Sequence, residues 1–101
     1  MRILVLFNLR ADTDPTAYER WARETDMPGV RVLGSVADFQ VYRLTGLLGS
    51  SDKPPFAYAE VIDVADMAAF GSDASSDAVQ RVAAEFRSFA DNPLFITTEA
   101  L

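Results

Sequence analysis

The pattern of hydrophobic and polar positions predicts four strands. Arg2–Leu9 is an almost uninterrupted run of apolar, strand-forming residues, which is typical of a strand buried on both faces. Residues 36–45 and 56–64 alternate apolar and polar positions, and residues 94–98 form a short apolar run. The glycine-, serine- and proline-rich stretch 46–55 predicts a loop joining the two middle strands.

A first amphipathic helix is predicted between the first two strands. Asp14 followed by Pro15 is a helix start, with an acidic N-cap and proline at the first helical position. Glu19 and Arg23 form an i,i+4 pair on the solvent face. The inner face carries residues at helical spacing: Tyr18, Trp21, Ala22 and Thr25. Pro28 and Gly29 interrupt the helix, and residues 30–33 fit either a further helical turn or an extended lead-in.

A second helix is predicted before the last strand. Residues 66–70 suggest a short helical turn stopped by Gly71, after which Asp77 and Gln80 form a capping-box signature. Asn92 and Pro93 are expected to end the helix. Its inward positions are Val79, Val82, Ala83, Phe86 and Phe89.

The element order strand, helix, strand, strand, helix, strand predicts one α+β domain over residues 1–101. Right-handed crossovers give a ferredoxin-like four-stranded antiparallel sheet with both helices on one face. The first strand nevertheless carries apolar side chains toward both faces: Ile3, Val5 and Phe7 on one, Leu4 and Leu6 on the other. An apolar face left in water would exceed what monomers tolerate. A homodimer that packs sheet against sheet, a dimeric α+β barrel, is therefore expected.

Charge and hydropathy exclude two classes of partner. Fifteen acidic and nine basic residues give a net charge of -6, and the basic residues are scattered, so a nucleic-acid backbone would be repelled. No apolar run approaches the length of a membrane span, and Met1 leads straight into a strand rather than a signal sequence. A cytoplasmic protein is expected.

The residue types that are missing narrow the chemistry further. The chain has no cysteine and no histidine, which excludes thiolate nucleophiles, imidazole bases, zinc thiolate sites and the usual haem or non-haem iron ligands. No metal site is expected. Acid–base work is left to Asp, Glu, Tyr, Lys and Arg, and a carboxylate acts as a base near neutral pH only where burial raises its pKa.

Two acidic residues and one basic residue are the candidate catalytic groups. Asp26 is predicted at a helix exit, where an acid is unfavourable for the helix dipole; it is either functional or a solvated turn aspartate. Glu60 shares a strand face with apolar neighbours, so it is either buried with a raised pKa or paired with a basic residue. Arg43 on the preceding strand is its natural partner, in a structural or a catalytic ion pair.

Five further residues are candidates for ligand binding. Asn8, at the end of an apolar strand, either donates a hydrogen bond to a substrate oxygen or bonds its own loop. The others are aromatic residues that line a cavity between helices and sheet or form plain core: Tyr18, Trp21, Tyr58 and Phe86. The remaining aromatic positions assigned to the core are Phe7, Phe39, Phe70 and Phe89.

Residues 18–36, YERWARETDMPGVRVLGSV, resemble the REDY-like or HapK family, and the likeness continues through Phe39, Val41, Tyr42 and Arg43. These small proteins are encoded with prodigiosin-type and bisindole biosynthetic genes and belong to the dimeric α+β barrel superfamily. The resemblance implies a cofactor-free protein with a pocket between sheet and helices. In many relatives, including the EthD-like branch, a similar turn reads His-x-Pro, and Asp26 stands at the histidine position. Either a carboxylate takes the same role or the chemistry is lost.

These observations lead to one main hypothesis and two alternatives. The main hypothesis is an accessory enzyme without metal or organic cofactor, acting on an aromatic secondary-metabolite intermediate of prodigiosin or bisindole type. Asp26 or Glu60 transfers a proton, and Asn8 and Arg43 orient oxygens, in a tautomerisation, cyclisation, decarboxylation or cofactor-free oxidation. The alternatives are a non-catalytic carrier with the same pocket and a stress-type barrel without a small-molecule role.

Overall fold

Four strands and five helical segments alternate along the computed structural model, which describes residues 1–101. The strands are β1 (Arg2–Leu9), β2 (Val36–Arg43), β3 (Tyr58–Val64) and β4 (Ala90–Thr97). The helices are α1 (Pro15–Trp21), a π-helical turn (Ala22–Asp26), α2 (Met27–Arg31), α3 (Met67–Ala74) and α4 (Asp77–Phe89).

The strands form one antiparallel sheet in the order β2-β3-β1-β4. This arrangement confirms the predicted ferredoxin-like α+β fold. Ile3, Val5 and Phe7 of β1 are buried on the helix-covered face, in a core cluster with residues of α1 and α4. Leu4 and Leu6 lie on the opposite face and stay half-exposed. The helices therefore cover one face of the sheet only.

The core beneath the helices is mainly aromatic. The ring of Phe7 stacks on Tyr58 at a centroid distance of 5.6 Å and meets Phe86 edge-on at 4.9 Å. Tyr18 of α1 packs edge-on against both Phe7 and Tyr58. Each such pair contributes about 0.5–1.5 kcal/mol beyond the burial of its area, so these contacts fix α1 and α4 against the sheet.

The junction between α4 and β4 differs from the prediction. The helix ends at Phe89 and the strand begins at Ala90, so Asn92 and Pro93 lie inside β4 and do not end the helix. The ladder between β1 and β4 shifts register between Leu6 and Asn8, and Asn92 has a φ of 45°. A bulge on an edge strand can accommodate proline, which has no N–H to donate.

Two further boundaries differ in the second half of the chain. Helix α3 begins after its N-cap Asp66, whose carboxylate accepts hydrogen bonds from the N–H groups of Ala68 and Ala69, and it continues through Gly71 to Ala74. The N-cap of α4 is Ser76, whose hydroxyl accepts a hydrogen bond from the backbone of Val79. Asp77 is therefore the first helical residue, and the predicted capping box was wrong by one position.

Candidate functional site

The segment that follows α1 carries the candidate base Asp26. Instead of ending, the helix widens into a π-helical turn in which the Met27 N–H donates to the carbonyl of Ala22. Pro28 has no N–H to offer the preceding turn, which favours this irregularity, and α2 then begins at Met27. Asp26 is 5 % exposed. It lies on the same buried side as Tyr18, so the interpretation as a solvated turn aspartate was wrong.

A cavity of about 450 Å³ lies between the sheet and helices α2, α3 and α4. Twelve of its seventeen lining residues are hydrophobic, including Phe39, Phe70 and Phe86. Asp26 and Glu60 are its only acidic residues. The cavity therefore offers an apolar ligand two carboxyl groups set in hydrophobic surroundings.

The carboxyl groups of Asp26 and Glu60 are buried and incompletely hydrogen-bonded. Asp26 Oδ2 and Glu60 Oε2 accept no hydrogen bond from any N–H or hydroxyl group, and the neighbours of Glu60 across the sheet are Val5 and Val41. The remaining hydrogen bond of the pair is the one between the two carboxyl groups, which requires a proton on one of them.

Burial raises the pKa values of both acids. Burial raises the pKa of Asp26 to about 6, while a hydrogen bond with Glu60 opposes the rise. The pKa of Glu60 is raised well above its ordinary value by burial first, and then by the charge of Asp26 and the hydrogen bond between them. As pH rises, Asp26 loses its proton first and Glu60 keeps its proton longer, so the pair can supply one base and one acid.

Arg43 does not pair with Glu60, as the sequence had suggested, but with Glu19 of α1. Arg43 donates to Glu19 through Nη2 and, at 2.9 Å, through Nε. The hydroxyl of Tyr58 donates to the same carboxylate at 2.7 Å. These hydrogen bonds, Arg43 first, lower the pKa of Glu19 to about 2.

Strand register explains the change of partner. Arg43 lies opposite Tyr58 at the sheet end, while Glu60 is two residues further in and lies opposite Val41. Glu19 also keeps the predicted contact with Arg23, at 3.5 Å. The spacing of that pair gave no signal that Glu19 also reaches the sheet.

Tyr18 and Tyr58 line a second, smaller cavity of about 260 Å³ beside the Glu19–Arg43 pair. Tyr18 is fully buried and its hydroxyl has no hydrogen-bond partner. Burial raises the pKa of Tyr18, and the charges of Glu60 and Asp26 raise it further. Tyr18 therefore lies between the small cavity and the buried acids.

The two other candidate ligand-binding residues line neither cavity. The indole of Trp21 packs against Phe89 at a centroid distance of 5.3 Å. Asn8 donates to the carbonyl of Pro55 and accepts from the N–H of Ala57, at 3.3 and 2.9 Å. Its amide thus holds the segment that leads into β3, which is close to the alternative of a loop-bonding asparagine.

Two further findings concern the chain as a whole. No three acidic side chains come together as a group that could hold a metal ion. None of the helices combines the length and the apolar composition that crossing a bilayer requires.

The chain is similar to known proteins over its whole length. The profile of the family described as "REDY-like protein HapK" matches residues 1–101. The chain is similar to the crystal structure of HapK from Hahella chejuensis, with 25% identity, a TM-score of 0.73, and coverage of 100% of this chain and 95% of that one. A search of curated protein sequences finds no significant match.

Two more distant structures share the fold. A dimeric ferredoxin-like protein of unknown function from Thermobifida fusca has 14% identity and a TM-score of 0.71, with 94% of this chain and 85% of that one covered. SnoaB, a cofactor-independent oxygenase from Streptomyces nogalater, has 11% identity and a TM-score of 0.71, with 99% and 93% covered. The match to the family over the whole length decides membership: this chain belongs to the HapK family of REDY-like proteins.

Proposed function

We propose that the chain is a cofactor-free enzyme that moves a proton on an apolar, aromatic intermediate of secondary metabolism, of prodigiosin or bisindole type. The observation that carries the proposal is the pair of buried acids, Asp26 and Glu60, which lie together in the lining of an apolar cavity. A cavity of about 450 Å³ lies within the range of small-molecule sites. Membership of the HapK family supports the substrate class.

The two acids divide the proton transfer between them. Asp26, ionised near neutral pH, removes a proton from a C–H or N–H group of the ligand. Glu60, whose raised pKa favours the protonated form, delivers a proton to another atom of the same ligand, and the pair is restored when Glu60 recovers the proton from Asp26. A tautomerisation needs no more than this. Cyclisation and oxidation by dioxygen can start from the same deprotonated ligand, and in a decarboxylation Glu60 can protonate the carbanion that loss of CO₂ leaves.

The proposed assembly is a homodimer through the open sheet face. That face exposes Tyr42, Leu94 and Ile96, at 51%, 48% and 38%. Burying such apolar surface against a second copy is the simplest way to remove it from water. The Thermobifida fusca protein with this fold is described as dimeric, which supports the same arrangement here.

The test is proton exchange on a simple planar ketone. With 2-tetralone in D₂O at neutral pH, the wild-type protein should accelerate loss of the α-proton signal in NMR. Asp26→Asn should lower that rate at least about 100-fold and Glu60→Gln by a smaller factor, because general-acid and general-base groups contribute about 10²–10⁴. Glu24→Gln, an exposed change on the same helical segment, is the control.

Two results would contradict the proposal. Exchange that is unchanged in Asp26→Asn would show that this carboxylate is not the base. A wild-type protein that binds 2-tetralone but leaves its α-protons unexchanged would be a carrier rather than an enzyme.

A further inference from the structure

Arg87 is the only basic residue that lines the larger cavity. It lies in the last turn of α4, directly after the buried Phe86. Its guanidinium takes part in neither ion pair of the protein, both of which involve Glu19. Gln80, another polar lining residue, is engaged, because its Nε2 donates to the carbonyl of Ala74 at 2.7 Å. Arg87 is exposed and its guanidinium has no ion-pair partner, so it is the free basic side chain at the rim of this cavity.

Strand register places Arg87 and the buried acids at opposite sides of the cavity. Val5 of β1 lies opposite Glu60 of β3 and opposite Phe95 of β4, so the three residues form one line across the sheet. Two inter-strand spacings separate Glu60 from Phe95, which is about 10 Å. Phe86, the neighbour of Arg87, meets Phe95 edge-on at a centroid distance of 6.3 Å. Arg87 therefore lies at the β4 side of the cavity.

The β4 side also has an aromatic surface. Phe95 lines the cavity and is 62% exposed, whereas Phe86 is buried beside it. An exposed aromatic ring next to an unpaired guanidinium suits a flat ligand with an anionic end, because the ring packs on the ligand and the guanidinium binds its charge.

We infer that the ligand is a planar acid whose carboxylate binds Arg87 while its reactive end, about 10 Å away, reaches Asp26 and Glu60. This inference deepens the proposed function and rests on it. The reverse orientation would bring the ligand carboxylate to two acidic side chains with no cation beside them. Arg87 thus determines both the class of ligand and its direction in the cavity.

The test compares an acid with its neutral amide. Binding of 2-naphthaleneacetate and 2-naphthaleneacetamide to the full-length protein is measured by isothermal titration calorimetry. The wild type should bind the acid at least about 10-fold more tightly, as expected for a charge-assisted bidentate contact. Arg87→Gln should abolish this preference while leaving the affinity for the amide unchanged. Arg81→Gln is the matched control, because Arg81 is exposed on the same helix and does not line the cavity.

The outcomes separate this inference from the function it rests on. Equal binding of acid and amide by the wild type, or a preference that survives in Arg87→Gln, would overturn the role of Arg87 and leave the proton-transfer proposal standing. If neither compound binds the wild type, the ligand cavity itself is refuted and both proposals fall. Acid preference together with no 2-tetralone exchange by the wild type would support Arg87 and contradict catalysis.

Discussion

Arg43 forms its ion pair with Glu19 and leaves Glu60 without a basic partner. As a result, the pKa values of Glu19 and Glu60 shift in opposite directions. Glu19 meets a guanidinium and a phenol, and its pKa falls. Glu60 meets a second acid in an apolar cavity, and its pKa rises. Because Arg43 pairs with Glu19 and not with Glu60, Glu19 is held as a charged group, whereas Glu60 favours its protonated form.

The buried pair should make the protein less stable as pH rises. Because the pKa of Asp26 is raised from 3.8 to about 6, the folded state binds more protons than the unfolded state in that window. Stability should fall by about 1 kcal/mol between pH 5 and pH 8 from Asp26 alone, and Glu60 adds to the fall in the same direction. Urea denaturation followed by circular dichroism at both pH values measures it.

The double variant Asp26→Asn/Glu60→Gln provides the comparison for that experiment. It should show almost no change in stability between the same two pH values, since both titrating groups are gone. A wild-type protein as stable at pH 8 as at pH 5 would contradict the buried, coupled pair.

Glu19→Gln should destabilise the protein by about 1 kcal/mol at pH 7, because the hydrogen bonds from Arg43 and Tyr58 lose their charged acceptor. The pKa of Glu19 is lowered to about 2, so its contribution is present above pH 4.5 and is lost as pH falls toward 2. The difference from wild type should therefore disappear near pH 2. Glu24→Gln is the exposed control, and an equal loss there would point to a general charge effect.

Tyr18→Phe should leave stability unchanged or raise it by up to about 1 kcal/mol. The ring contacts with Phe7 and Tyr58 remain, and the hydroxyl that is removed is buried without a partner. Thermal denaturation of the two proteins gives the comparison. A loss of more than about 1 kcal/mol would show that the hydroxyl makes a hydrogen bond, for instance through a buried water.

Tyr42→Glu should convert a homodimer into monomers. Tyr42 is 51% exposed on the open sheet face, and a charge there would be buried unpaired against a second sheet. Light scattering at micromolar concentration reports the mass. Val32→Glu, at a position 80% exposed outside the sheet, should leave the mass unchanged. A monomeric wild-type protein would refute the proposed assembly.

Local sequence patterns predicted most strands and helices, because the start of such an element depends largely on nearby residues. The apolar run of β1 and the Asp14–Pro15 helix start both hold in the structure. The predictions that were wrong concern single residues: Pro93 is tolerated within β4 because a bulge lies there, and α3 continues through Gly71 because a helical glycine costs only about 1 kcal/mol relative to alanine. Sequence gave the correct strand face for Glu60, which is indeed buried.

The site was only partly predictable for the same reason. Asp26 was singled out by its unfavourable place near a predicted helix end, but its burial depends on a π-helical turn that periodicity does not reveal. The pairing of Glu19 with Arg43 joins residues 24 apart in sequence, and no local spacing indicates it. Arg87 and Phe95 reach the cavity through the register of β4 and the end of α4, both of which differ from the predicted boundaries.

The edge strand β4 bears on the solubility of the monomer. Three consecutive apolar residues, Leu94, Phe95 and Ile96, are exposed there, and an exposed apolar edge is a template for adding strands from other chains. Pro93 and the bulge at Asn92 interrupt the free row of N–H donors at the start of this run. Both features disfavour strand addition at this edge, so replacing Pro93 with a β-branched residue should favour fibril growth.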